Sequence, residues 1–178
     1  MDGASSELTY ADILRVGPGT IAGRYLRRFW QPVLMSSDLS AGHVKPLRIL
    51  GEDLTLYRGD SGAVHLIAWR CPHRGVKLAL GFVQGENLQC VYHGWTFDGT
   101  GQCVEQPAEP QSFAGRIRVK SYPAREYLGL IFAYMGEGEP PAMPRLGDYE
   151  DDAMYVREIT TETWPCSYRS EEHTSELQ

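Results

Sequence analysis

Apolar and polar positions alternate with a period of two along most of this chain. The pattern predicts short strands at 30–36, 47–50, 54–58, 64–69, 87–90, 94–97, 116–120, 125–127 and 130–135. Gly51-Glu52-Asp53, Gly59-Asp60-Ser61-Gly62 and Asp98-Gly99-Thr100-Gly101 read as turns between them. Before Trp30 the period is helical. Leu8, Ala11, Ile13 and Leu14 recur with helical spacing over 8–16, until Gly17-Pro18-Gly19 stops the run. Thr20 is a suitable N-cap for a second short helix to about Phe29, with Ile21, Tyr25, Leu26 and Phe29 on one side. Arg27 and Arg28 fall in its last turn, where positive charge complements the helix dipole. Many short strands with glycine-rich turns predict a mainly β fold, a small antiparallel sandwich or barrel, preceded by short helices. No internal repeat is visible. The expected division is 1–29 helical, 30–136 the β domain and 137–168 a linker plus an opening strand at 155–163. Gly136-Glu137-Gly138-Glu139-Pro140-Pro141 marks the linker.

Charge narrows the range of partners. Seventeen basic against twenty-three acidic residues give a net charge of −6, which argues against nucleic acid. The longest apolar run, 128–135, is far short of the roughly 20 residues of a spanning helix. The polar stretch 1–7 lacks the basic start and apolar core of a signal peptide. The expectation is a cytoplasmic protein. Its four cysteines, Cys71, Cys90, Cys103 and Cys166, would then be reduced or metal-bound rather than cross-linked.

Two segments carry candidate chemistry: Cys71-Pro72-His73 and Cys90-Val91-Tyr92-His93, with sixteen residues between His73 and Cys90. Each follows a strand-like run and is followed by glycine, Gly75 or Gly94. Both therefore suit the tips of neighbouring loops, where glycine lets the backbone turn tightly and aim amides at a metal group. Two mixed Cys/His loops suit a two-iron cluster with two sulfurs on one iron and two nitrogens on the other. Zinc is a rival for the same donor types, although its fingers usually separate the cysteine knuckle from the histidine pair. A Cys71–Cys90 disulfide is a second rival. Cys103 and Cys166 lack a matching histidine and read as packing residues. His43 and His65 read as structural or solvent-facing. Trp69, Tyr92 and Trp95 flank the donors and are expected to shield them.

Cys71-Pro72-His73-Arg74-Gly75 and Cys90-Val91-Tyr92-His93-Gly94-Trp95 resemble the Rieske signature of ring-hydroxylating oxygenase α subunits. Val16-Gly17-Pro18-Gly19-Thr20, Arg27-Arg28-Phe29-Trp30-Gln31-Pro32, Leu50-Gly51-Glu52-Asp53-Leu54 and Gly101-Gln102-Cys103-Val104 resemble the phthalate 4,5-dioxygenase branch. The resemblance runs from about 8 to 168. It implies a Rieske 2Fe-2S domain, with Cys71 and Cys90 on the inner iron and His73 and His93 on the outer. It also implies a parent protein, commonly a homotrimer, that takes electrons from an NAD(P)H-dependent flavin or ferredoxin-type reductase. A mononuclear Fe(II) site would use them with O₂ to hydroxylate or demethylate an aromatic substrate. Respiratory Rieske proteins carry an extra cysteine in each loop and tend to have serine where this chain has Trp95. Lacking that hydroxyl hydrogen bond, the cluster is expected near the low end of the Rieske range, on the order of −150 mV.

The segment 169–178 looks like the translation of a sequencing adapter and is set aside from fold reasoning. No Asp-x-x-His-x₄-His follows Trp164-Pro165-Cys166-Ser167-Tyr168, so the mononuclear iron ligands are not in this sequence. This stretch alone is expected to bind a cluster without oxygenating a substrate. A stand-alone Rieske ferredoxin is the alternative reading. The N-terminal helices and the strand after Pro140-Pro141 argue against it.

Overall fold

The computed structural model describes residues 8–107, 109–150, 159–160 and 162. These residues form eleven strands in three antiparallel sheets. The strands are β1 (Trp30–Met35), β2 (Val44–Ile49), β3 (Glu52–Arg58), β4 (Val64–Ala68), β5 (Phe82–Gln84), β6 (Asn87–Gln89), β7 (Thr96–Phe97), β8 (Cys103–Glu105), β9 (Ser121–Tyr122), β10 (Ala124–Tyr127) and β11 (Leu130–Tyr134). The sheet orders are β1-β11-β10, β2-β3-β4-β9 and β5-β6-β7-β8.

The sheet β2-β3-β4-β9 contributes to two cores. In β3 and β4, Leu54, Leu56 and Leu66 join Leu39, Tyr122, Ile131, Ala133 and Met135 in one core. Tyr57 and Ile67 join Leu78, Leu88, Phe97 and Val119 in the other. Period-two alternation divides the strands this way, and Leu56↔Leu66 and Thr55↔Ile67 are directly paired. Each leucine buried here contributes about 1.5–3 kcal/mol. The second core also holds Cys71, Cys90 and Trp95, so the candidate loops are anchored in a packed interior.

Seven expected strands overlap β1, β2, β3, β4, β6, β10 and β11. β2 starts before the predicted 47 and includes Pro46, which its position at the sheet edge tolerates. The strand expected at 94–97 is reduced to β7. The strand expected at 116–120 does not form. Its backbone divides its bonds among different neighbours: Cys103 N–H donates to Ile117 O, Val119 N–H to Gly101 O and Ala68 N–H to Lys120 O. A 3-10 turn, Ala114–Arg116, precedes this crossover, and the strand begins only at β9.

The helices are shorter than expected. α1 (Tyr10–Leu14) is capped by the Asp12 carboxylate, which accepts from Thr9 N–H and Oγ1 at 2.9 and 2.7 Å. α2 (Ile21–Leu26) has the expected cap, with Thr20 Oγ1 accepting from Gly23 N–H at 3.1 Å. Arg27 is a buried hub rather than a surface charge. Its guanidinium donates to Val16 O, Gly23 O, Leu50 O and Glu52 Oε1, tying the helices to the β2–β3 turn. After β11 the chain passes the start of β1, where Pro141 O accepts from Trp30 Nε1 at 2.9 Å. Of the strand expected at 155–163, only 159, 160 and 162 are described, without regular structure. Cys166 and 169–178 lie outside the described residues. No helix among the described residues is long and apolar enough to cross a membrane.

Candidate metal centre

Cys71 and His73 lie in the connection from β4 to β5, and Cys90 and His93 in the connection from β6 to β7. Both loops close in the same way. Cys71 N–H donates to Val76 O at 2.8 Å, and Gly75 N–H donates back to Cys71 O at 2.9 Å. Cys90 N–H donates to Trp95 O at 2.9 Å, and Gly94 N–H to Cys90 O at 3.1 Å. Gly75 and Gly94 have φ of 71° and 73°, a left-handed conformation that glycine adopts without steric cost. The backbone therefore repeats where the sequence does not. Only the histidine is displaced, two residues after Cys71 but three after Cys90. The loops are also packed together, because a Cβ at Gly81 would strike the Gln89 carbonyl just before Cys90.

The four donors separate into two pairs. Cys71 and Cys90 are both buried, and their thiols interact. Burial pushes the Cys71 thiol up to about 11, and the neighbouring Cys90 adds to the rise. The backbone amides of His73 and Arg74 donate to the Cys71 sulfur and oppose it. Amides are thus already aimed where a thiolate would carry charge. The imidazoles of His73 and His93 face each other, half-buried, with centroids 4.6 Å apart and planes at 57°.

Each imidazole has an aromatic neighbour. Trp95 is buried and stacks on His73 at 4.7 Å with planes 6° apart, braced edge-on by Phe113 at 5.6 Å. Tyr92 lies 3.9 Å from His93 but stays 60% exposed, so it covers a ring without sealing it from water. Trp69 instead carries the Lys77 ammonium over its ring at 5.3 Å. Trp95 as the support of His73 was not legible in the sequence. The shared Cys-x₃-Gly spacing was the available sign that the two loops match.

The remaining candidates stand outside this group. His43 is exposed, with its ring nitrogen 3.0 Å from Ala41 O. His65 packs on Tyr57 and lies 3.1 Å from Glu86 Oε2. Cys103 is buried in the core, its thiol donating to Glu105 O. All three described cysteines are free thiols. Among the described residues no three His, Cys, Asp or Glu side chains converge as one ion would require. A paired-sulfur end and a paired-nitrogen end match the donor chemistry of a two-iron cluster better than one tetrahedral zinc.

Comparison with known proteins agrees. Residues 29–123 match the family model described as Rieske [2Fe-2S] domain. The chain is 40% identical over 163 residues to the 5,5'-dehydrodivanillate O-demethylase oxygenase subunit of Sphingobium sp., covering 88% of this chain and 38% of that one. It is 35% identical over 140 residues to the phthalate 4,5-dioxygenase oxygenase subunit of Pseudomonas putida, covering 73% of this chain and 32% of that one. Among solved structures it resembles an oxygenase and ferredoxin complex of carbazole 1,9a-dioxygenase, with a TM-score of 0.59 and 36% identity over 65% of this chain and 31% of that one. The chain spans about a third of the length of the curated relatives it matches. With two matching loops, two donor pairs and a family match across both, the chain belongs to the Rieske [2Fe-2S] domain family.

Proposed function

We propose that Cys71 and Cys90 ligate the inner iron of the cluster, and His73 and His93 the outer iron. The observation that carries this reading is the division of the donors, thiols together in the core and imidazoles together nearer the surface. A Rieske cluster supplies one-electron transfer at a potential set by its ligands and their hydrogen bonds. The residues here hold and orient it. Amides of His73 and Arg74 face the Cys71 sulfur, Trp95 stacks on His73, and the half-buried imidazoles lie nearer solvent than the buried sulfurs.

The domain serves a longer oxygenase, with 1–29 a helical segment, 30–136 the cluster domain and 137–168 the approach to a catalytic domain. Similarity to the O-demethylase subunit extends over 163 residues, well past the matched Rieske segment, which a stand-alone carrier would not need. In this reading a ferredoxin or an NAD(P)H-dependent reductase supplies electrons. A mononuclear iron(II) elsewhere in a trimeric parent uses them with O₂ to hydroxylate or demethylate an aromatic compound.

Anaerobic reconstitution tests the ligand set. The chain should take up about two irons and two sulfides and become coloured, and Cys71→Ala or His93→Ala should lose most of that uptake. Preferential binding of a single zinc, with no colour, would overturn it.

A further inference from the structure

Gln106 is 4% exposed and follows β8 directly. Thr96 pairs with Glu105 in the antiparallel β7–β8 ladder, which sets Trp95 and Gln106 side by side at its end. The Gln106 carboxamide is engaged at one end. Its Oε1 accepts from Phe113 N–H at 2.8 Å and from Ser112 Oγ at 3.3 Å. A backbone N–H can only donate, so the amide must turn its oxygen towards Phe113. Nε2 is then buried without a partner among the described residues. A methionine would fill the same space without stranding a donor, so packing does not account for a glutamine here.

Phe113 lies between β8 and β9, just before the 3-10 turn Ala114–Arg116, and belongs to no strand. Its amide is held by the Gln106 oxygen rather than by a ladder. Gln102 pins the far side of the same turn, its Nε2 donating to Ala114 O and Ile117 O at 2.9 Å each. From Phe113 the contacts run inward. Its ring meets Trp95 edge-on at 5.6 Å and 80°, and Trp95 lies flat on His73 at 4.7 Å and 6°.

We propose that Gln106 is a positioning residue for the cluster. By holding the Phe113 amide it sets the Phe113 ring against Trp95, and Trp95 sets the imidazole plane of His73. Groups that touch a ligand orient it and tune the metal it binds. Edge-on and stacked ring pairs each favour one arrangement, so the orientation passes along the series. This inference rests on the ligand assignment above.

The test reconstitutes the full chain and records iron and sulfide per chain, Tm, and the g-values of the reduced cluster by electron paramagnetic resonance. Gln106→Met keeps the side-chain length and removes the acceptor. Gln102 still holds the turn, so this variant should load iron like the parent chain, yet its g-values should shift. Phe113→Leu keeps the backbone N–H and removes the ring, and should shift them in the same direction. The double variant should shift them no further than Phe113→Leu alone, because both changes act through one ring. A purely structural glutamine would lower Tm and leave the g-values in place. If Gln106→Met loads no iron, Gln106→Asn, one methylene short of Phe113, takes its place with the same expectation. A parent chain that takes up no iron defeats the ligand assignment. Loaded Gln106 variants with the parent's g-values, shifts that add in the double variant, or failure of both Gln106 variants to load defeat the positioning role.

Discussion

Replacing Glu52 with glutamine tests how the N-terminal helices are held to the cluster domain. Arg27 is buried, with three of its four acceptors backbone carbonyls and the fourth Glu52 Oε1 at 3.0 Å. The Glu52 side chain is 13% exposed and also accepts from Lys120 Nζ at 2.6 Å and Tyr122 OH at 2.8 Å. Glu52→Gln keeps the shape, removes the charge and strands a buried guanidinium. Breaking a buried pair this way costs about 3–5 kcal/mol. The carbonyls still hold Arg27, so the low end, about 3 kcal/mol, is expected, a fall in Tm of roughly 6–12 °C for a domain of this size. Lys120→Met removes only an arm that is 54% exposed and should cost about 0–1 kcal/mol. Burial alone would raise the Glu52 pKa, but hydrogen bonds from Lys120, Tyr122 and Arg27 outweigh it and lower the pKa below 4.5. Its contribution is therefore whole above pH 4.5 and is lost as pH falls below that value through the folded pKa. Thermal unfolding followed by circular dichroism, at neutral pH and down an acid series, reads both effects. A Glu52→Gln chain within about 2 °C of the parent, or with the parent's full acid sensitivity, would refute the reasoning.

Four further outcomes follow from the loops. Trp95→Phe keeps a ring against His73 and removes an indole N–H that is buried without a partner among the described residues, so stability should be nearly unchanged. Trp95→Leu should load iron yet show altered g-anisotropy in the reduced electron paramagnetic resonance spectrum; a spectrum identical to the parent's would remove Trp95 from its positioning role. Gly81→Ala drives a Cβ into the Gln89 carbonyl and displaces the strand before Cys90, so Tm and iron per chain should both drop, with a stability loss of about 1–3 kcal/mol; unchanged values for both would contradict the packing of the loops. A redox titration should give a midpoint on the order of −150 mV, because Trp95 stands where a hydroxyl donor would raise it, and a clearly positive value would sink that explanation.

The four candidate donors stood out because each Cys/His pair is close in sequence and its chemistry is specific. Strands with three or more alternating residues were legible for the same local reason. β5 and β8 were not, since Phe82-Val83-Gln84 and Cys103-Val104-Glu105 each set two apolar residues side by side and do not alternate. The segment 116–120 misled because its alternation is real but its hydrogen bonds go to several neighbours. Arg27 looked like a helix-end charge, and its burial depends on Leu50 and Glu52, more than twenty residues away. The shared closure of the loops was hidden because only a cysteine and a glycine are common to both.

Pulsed electron paramagnetic resonance on the reduced, reconstituted chain tests the central claim most directly. Hyperfine couplings from two directly bound imidazole nitrogens are expected, with His73→Cys retaining a cluster but losing one of them. A reduced cluster without nitrogen coupling, or a colourless zinc-bound chain, would contradict it.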